Sequence, residues 1–256
     1  MSITKPYFRI FRPNKNSFKY DASYTIDNRN ILDWSSPIMA FDLITEDFKT
    51  ICKYIDPCDE NSCVHSHRLY ELFIRTCTEI ESNMKAILKV NGYKKTDKNG
   101  KTIDDNKWNI EDYKLLEPIL KLSDYKVSIN FWNGGRGGEY GPFNNLANGK
   151  TNKLVWYMDY NQVKHNRAER FNLANLGNVI DSLCGLFVVL FSQYGPQVFS
   201  PYQQVTTYDI SSDNVISGSD TTILSIKAPE WAENEKYEFD WESLSKQKNP
   251  FQTFFN

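Results

Sequence analysis

His67-Arg-Leu-Tyr-Glu-Leu-Phe-Ile-Arg-Thr-Cys-Thr-Glu-Ile-Glu-Ser-Asn-Met-Lys-Ala-Ile-Leu-Lys-Val90 is the stretch on which the fold turns. Leu69, Leu72, Phe73, Thr76, Ile80, Met84, Ile87 and Leu88 recur every three or four residues, which lines them up on one stripe and predicts a helix from His67 to Val90. Glu71, Arg75 and Glu79, and likewise Glu81 and Lys85, stand four apart, the spacing of local ion pairs. Asn91-Gly92 supplies the stop. A stripe of this kind needs other helices against it, and the fold is therefore expected to be mainly α.

On the N-terminal side, Ser35-Ser36-Pro37 combines a hydroxyl for the N-cap with a first-turn proline. Behind it Ile38, Phe41, Ile44, Phe48, Ile51 and Ile55 keep helical spacing until Pro57. Tyr7 to Phe11 and Tyr20 to Ile26 are aromatic and β-leaning, broken by Pro13-Asn14-Lys15-Asn16, and read as a small ribbon or an irregular arm.

On the C-terminal side, Lys94–Lys107 is a lysine-rich loop and Trp108–Leu122 a helix bent or ended near Pro118. Tyr125, Val127, Ile129 and Phe131 alternate as in a strand. Helices are expected over Leu154–His165 and Phe171–Tyr194, the second stopped by Gly195-Pro196. Its first half is amphipathic and its second apolar nearly all round, as in a central helix. The run Leu183–Phe191 is much shorter than the roughly 20 residues of a membrane span, so it reads as core. Short strands near Gln203–Ile210 and Thr221–Lys227 precede an acidic, aromatic tail that docks on the body or on a partner. Three parts follow: residues 1–66, an arm and a helix packed on the core; 67–197, the helical core; and 198–256, an extension.

The charged groups, 30 Lys and Arg against 32 Asp and Glu, leave a formal net charge of -2 and no global pull toward nucleic acid or anionic membrane. The first residues carry no apolar run, so no secretory signal is expected, and an odd count of five cysteines points to a reducing cytoplasm.

Chemistry concentrates in Trp156-Tyr-Met-Asp-Tyr-Asn-Gln-Val-Lys-His-Asn-Arg167. On a helix, Asn161 and His165 share a face, with Lys164 and Arg167 close by. An imidazole exchanges protons near neutrality, while lysine and arginine hold phosphate. That is the minimum equipment for metal-independent RNA cleavage, a base for the 2′-hydroxyl and cations for the phosphate. The same residues also describe a plain helix end with solvated charges.

Asp159-Tyr-Asn-Gln-Val-Lys-His165-Asn-Arg167, followed by Phe171, Ala174-Asn175-Leu176 and the apolar helix to Gly195, resembles the C-terminal half of a HEPN domain, and Leu69–Leu88 resembles its partner helix. The likeness spans residues 67–195. It implies an antiparallel helical bundle, commonly a homodimer, that acts on RNA or a nucleotide. Metal-independent endoribonucleases of toxin and antiphage systems belong to the family, and so do inactive interaction modules. Active members carry an arginine separated from the histidine by four to six intervening residues. Here Met158, Asp159 and Tyr160 span those positions, so the charge falls to Lys164, Arg167 or Arg75. Glu71, Arg75, Glu79, Asp159 and Tyr160 are then supporting residues, and the glutamates could orient His165. Routine helix-surface pairing is the other reading of Glu71, Arg75 and Glu79.

Cys52, Cys58, Cys63, His65 and His67 crowd one region, but their spacing fits no standard zinc pattern, and no metal or cofactor is assigned. Gly134-Gly-Arg-Gly-Gly138 fails the dinucleotide pattern and reads as a flexible loop from which Arg136 reaches a substrate.

Overall fold

The computed structural model describes residues 3–17, 21–28, 31, 33–151, 154–199, 209–210, 215–217 and 223–255. The fold is mainly α. Four helices make the body: α1 (Ser35–Cys52), α2 (His67–Val90), α5 (Val155–His165) and α7 (Leu176–Tyr194). Single helical turns stand between and after them: α3 (Ile110–Tyr113), α4 (Glu117–Leu120), α6 (Arg167–Arg170) and α8 (Trp241–Leu244). Each long helix runs antiparallel to the one before it. Arg75 of α2 pairs with Asp47 of α1, and Asp159 of α5 meets Asn178 of α7. Lys164, near the end of α5, reaches Glu81, and Arg167 just beyond that end reaches His67 at the start of α2. As a result α2 and α7, the most extensively packed pair, lie parallel, with His65 beside Asn175 at one end and Asn83 bonded to Gln193 at the other.

Every residue of α7 is buried. By length and composition it is the one helix among the described residues apolar enough to cross a membrane, yet it lies wholly inside the fold. The expected amphipathic first half is not found. Asn178, Asp181 and Ser182 are covered like their apolar neighbours, because α1, α2, α5 and the segment 57–64 pack around α7. The helix also begins five residues later than the periodicity suggested. Asn175 caps it by accepting from the Asn178 N–H at 2.9 Å, and Phe171–Leu173 forms a separate 3-10 turn.

For α2 the bounds are those read from the sequence, with Ser66 accepting from the Leu69 N–H. α1 differs in detail. Trp34, not a serine, holds the N-cap position, and the helix ends at Cys52, short of Ile55. The expected helix over Trp108–Leu122 is two turns joined by a 3-10 segment, since Pro118 has no N–H to continue a ladder and Lys121 turns left-handed at φ 52°.

A four-stranded antiparallel sheet flanks the body in the order β1-β4-β3-β2, from β1 (Lys126–Ile129), β2 (Asp209–Ile210), β3 (Val215–Ser217) and β4 (Leu224–Lys227). β1 turns Val127 and Ile129 inward, as their alternation predicts. The remainder of the strand expected over 203–210, and residues 20, 221 and 222, lie outside the described residues. Ser23–Ile26 is a 3-10 turn rather than ribbon.

The tail docks on the body's own arm. Ile3 and Asn14 bridge to Tyr237, and Tyr7 to Gln252. Tyr24 meets Tyr237, Phe239 and Trp241 edge-on, while Phe8 stacks on Phe251 at 4.9 Å. One apolar cluster runs from Ile10 through the helices to Phe251.

Gly195 ends α7 at φ 71°, ψ -169°, a conformation closed to side chains, where a Cβ would lie 2.8 Å from Phe11 Cδ2 and 2.9 Å from the Ala22 Cβ. Gly195→Ala is expected to cost about 3 kcal/mol in urea unfolding. Gly149→Ala, at φ 63° with nothing within 4 Å, should cost only about 1 kcal/mol. Equal losses would show that packing at the end of α7 is not the cause.

Candidate functional site

α5 is anchored along one side and open at its end. Trp156, Tyr157, Tyr160 and Val163 are buried against α2 and α7, and the Trp156 indole donates to the Pro142 carbonyl at 3.1 Å. The polar centre of the seam is Glu81 of α2. Tyr157 Oη donates to Glu81 Oε1 at 2.7 Å, and Tyr160 Oη to Oε2 at 3.1 Å. Lys164 Nζ lies 3.2 Å from Oε2 and 3.0 Å from the Tyr160 oxygen. Burial of both phenols, with the carboxylate beside them, raises their pKa values above the tyrosine norm. Partial burial pulls the Lys164 ammonium down, but the Tyr160 bond and Glu81 outweigh it, so its pKa is raised and it stays charged.

The predicted residues thus separate. Asn161 bonds back to the Tyr157 carbonyl at 3.1 Å instead of orienting His165. Lys164 and Tyr160 belong to the Glu81 seam. Asp159 accepts from Asn178 Nδ2 at 2.8 Å and so ties α5 to α7. His165, the last residue of α5, is exposed, and among the described residues no hydrogen bond, ion pair or ring contact engages its side chain.

Beyond it Asn166 breaks the helix at φ -140°, ψ 63°, and the chain folds back on the start of α2. Arg167 Nη2 sits 3.1 Å from His67 Nδ1, and its guanidinium lies 4.5 Å over the Tyr70 ring and 5.7 Å from that of Phe171. Since arginine only donates, this bond requires a neutral His67 imidazole with its proton on Nε2. His65 and His67 both touch Phe171, at ring separations of 5.8 and 4.9 Å. The first turn of α2 holds no acidic residue, so the positive end of its dipole adds to the Arg167 charge.

The supporting triad on α2 does not orient His165. Glu71 pairs with Arg68 at 3.0 Å and Arg75 with Asp47, on the side facing α1. Glu79 is half-buried there, and that burial raises its carboxyl against the pull of Arg75. Their helical rotation points them away from α5. Glu81, read as a partner of Lys85, is the carboxylate that does face α5. It continues the line of buried Phe73 and Cys77 at four-residue steps, and that spacing was the signal for it.

Arg136 is held rather than free. Its Nε lies 3.1 Å from Asp181 Oδ1 and its Nη1 3.7 Å from Asp59 Oδ1. Asp59 also accepts from Trp132 Nε1 at 2.8 Å and from the Gly135 N–H, so the glycine loop is strapped onto segment 57–64 and α7. The two carboxylates titrate in opposite senses. The Trp132 bond, then the Gly135 N–H, lowers Asp59, whereas burial raises Asp181 more than Arg136 and Tyr140 pull it down. Asp181 is the one charged residue of α7, and that was the legible sign of it.

Among the described residues no three His, Cys, Asp or Glu side chains gather as a metal site, and Cys52, Cys58, Cys63, His65 and His67 do not converge on one. The cavity of about 580 Å³ between Pro13–Ser17 and Pro229–Lys236 contains none of the predicted site residues. No protein-family model, curated protein or solved structure matches the chain.

Two outcomes follow from this geometry. Glu81→Ala strands two buried phenols and Lys164, and should lower unfolding stability by about 2 kcal/mol. For Asp181, a folded-state pKa above the unfolded value of about 3.9 gives a contribution that is complete below that value and lost as pH rises through the folded one. Asp181→Asn lacks that loss. The variant should therefore gain on the wild type between about pH 4 and pH 7 in urea titrations, and a gap moving the other way would refute the assignment.

Proposed function

We propose that the chain is a HEPN-like protein that acts on RNA as a metal-independent endoribonuclease. It would work as a cytoplasmic homodimer, in the stress or antiphage setting that the resemblance implies. The observation that carries this reading is the end of α5, where His165 stands in solvent two residues before Arg167, at the acid-free start of α2. His165 takes the 2′-hydroxyl proton, the 2′-oxygen attacks phosphorus, and the bond to the 5′-oxygen breaks as that oxygen takes a proton back from His165, leaving a 2′,3′-cyclic phosphate and a 5′-hydroxyl. Arg167 contacts the phosphate, while Lys164, tied to Glu81, adds charge from the seam. The up-and-down order of the long helices supports the resemblance, and five free thiols fit a reducing compartment.

A second reading, an inactive interaction module that dimerises through the same helices, draws on a specific observation. Asn161 bonds back to its own helix and Lys164 turns into the α2–α5 seam, and Met158, Asp159 and Tyr160 leave no cation five to seven residues before His165. In that reading the exposed Val155 and Met158 mark a contact face, while Tyr237, Phe239, Phe251 and Phe254 of the tail are already engaged by the arm.

The deciding experiment incubates the purified protein with total RNA and tRNA in EDTA, beside His165→Ala. Cleavage with cyclic phosphate ends, reduced at least a hundredfold in the variant, is the expected result. A folded wild type that binds RNA but leaves it intact would transfer the assignment to the module.

A further inference from the structure

The groups around Phe171 do more than the phosphate chemistry asks of them. His65, His67 and Tyr70, from the loop before α2 and its first turn, converge on the Phe171 ring at centroid separations of 5.8, 4.9 and 5.8 Å. Arg167 closes the group from the α6 side, its guanidinium over Tyr70. Both imidazoles and Arg167 are exposed, and Tyr70 and Phe171 are partly exposed. No carboxylate pairs with Arg167 among the described residues, so its charge is satisfied by ring faces and one imidazole nitrogen. A purely structural cluster of rings would be covered by apolar neighbours. This one lies at the surface and mixes π-faces with the Arg167 cation, the combination on which unpaired nucleobases stack while their phosphates are held.

We propose that His67, Tyr70, Arg167 and Phe171 form a stacking subsite for one unpaired nucleobase, adjoining the phosphodiester bound at His165. The inference rests on the reading of this end of the bundle as an RNA site, and adds the part of the ligand that the site recognises. Arg167 serves both elements, one edge toward phosphate and one face toward the rings. The base enters edge-on or face-on against Phe171, and His65 bounds it on the far side. A base locked inside a duplex cannot reach the platform, so the subsite makes the protein favour single strands even though a duplex has the denser backbone charge.

Fluorescence anisotropy with 2′-O-methyl oligonucleotides tests this, because they lack the nucleophile and cannot be cleaved. Wild type is expected to bind a single strand more tightly than the matched duplex. Replacing successive bases by abasic residues should weaken binding between about 5-fold and 100-fold at one or two positions. Phe171→Leu should reproduce that loss with the salt dependence unchanged, since no phosphate contact is removed, and Phe171→Tyr should restore binding. The abasic series alters only the ligand, so it stands even if a variant folds poorly. Equal binding of strand and duplex, with no position sensitive to base removal, would overturn the subsite while leaving the RNA reading intact. Failure of the wild type to bind any of these RNAs would overturn the RNA reading, and the subsite with it.

Discussion

Nearly everything in this molecule is arranged around one requirement: α7 is buried along all 19 of its residues, so each polar group on it must find a partner inside the protein. Its leucines, valines, isoleucine and phenylalanines contribute about 1.5–3 kcal/mol each on burial, which drives the other helices around it. Its polar side chains decide where those helices stop. Asn178 takes Asp159 from α5 and the Leu173 carbonyl, Asp181 takes Arg136 from the glycine loop, and Gln193 takes Asn83 from α2 and Arg9 from the arm. Four separate parts of the chain are therefore registered against a single helix by bonds that are costly to leave unmade.

The architecture was legible in proportion to how local its causes are. The bounds of α2 follow from a stripe and an asparagine-glycine stop, all within 26 residues of sequence, and they stand as read. The strand at Val127 and Ile129 is visible in the same way. What failed to show was decided at a distance. Nothing near Phe171 announces that α7 waits for Asn175, because the intervening turn is shaped by the rings of His65, His67 and Tyr70, a hundred residues earlier. The candidate site divides along the same line. The end of α5 at His165 was readable from spacing. The destination of each neighbouring side chain was not, since Lys164 and Asn161 answer to Glu81 and Tyr157, while Arg167 answers to His67 and Tyr70.

That division gives the site its physical character. The Glu81 seam fixes α5 by two phenols, an ammonium and a carboxylate, so the helix cannot roll on its neighbours without breaking several bonds together. Two residues past Lys164 the backbone leaves helical geometry at Asn166, and the candidate residues His165 and Arg167 flank that break. A rigid base carrying an exposed end is the usual arrangement for residues that must meet a ligand in a defined position.

The docking of the tail on the arm has a consequence for how the chain is made. Ile3, Tyr7 and Asn14 are partnered by Tyr237 and Gln252, contacts separated by more than two hundred residues, whereas α2 closes on itself within microseconds. At translation speeds of about 5–20 residues per second, the arm emerges roughly ten to forty seconds before the segment that covers it. During that interval Tyr7, Phe8 and Tyr24 are open to the surroundings, and a ribosome-associated chaperone has time to reach them. The order of synthesis thus leaves the rings of the arm uncovered until the segment that carries Tyr237 and Phe251 has been made.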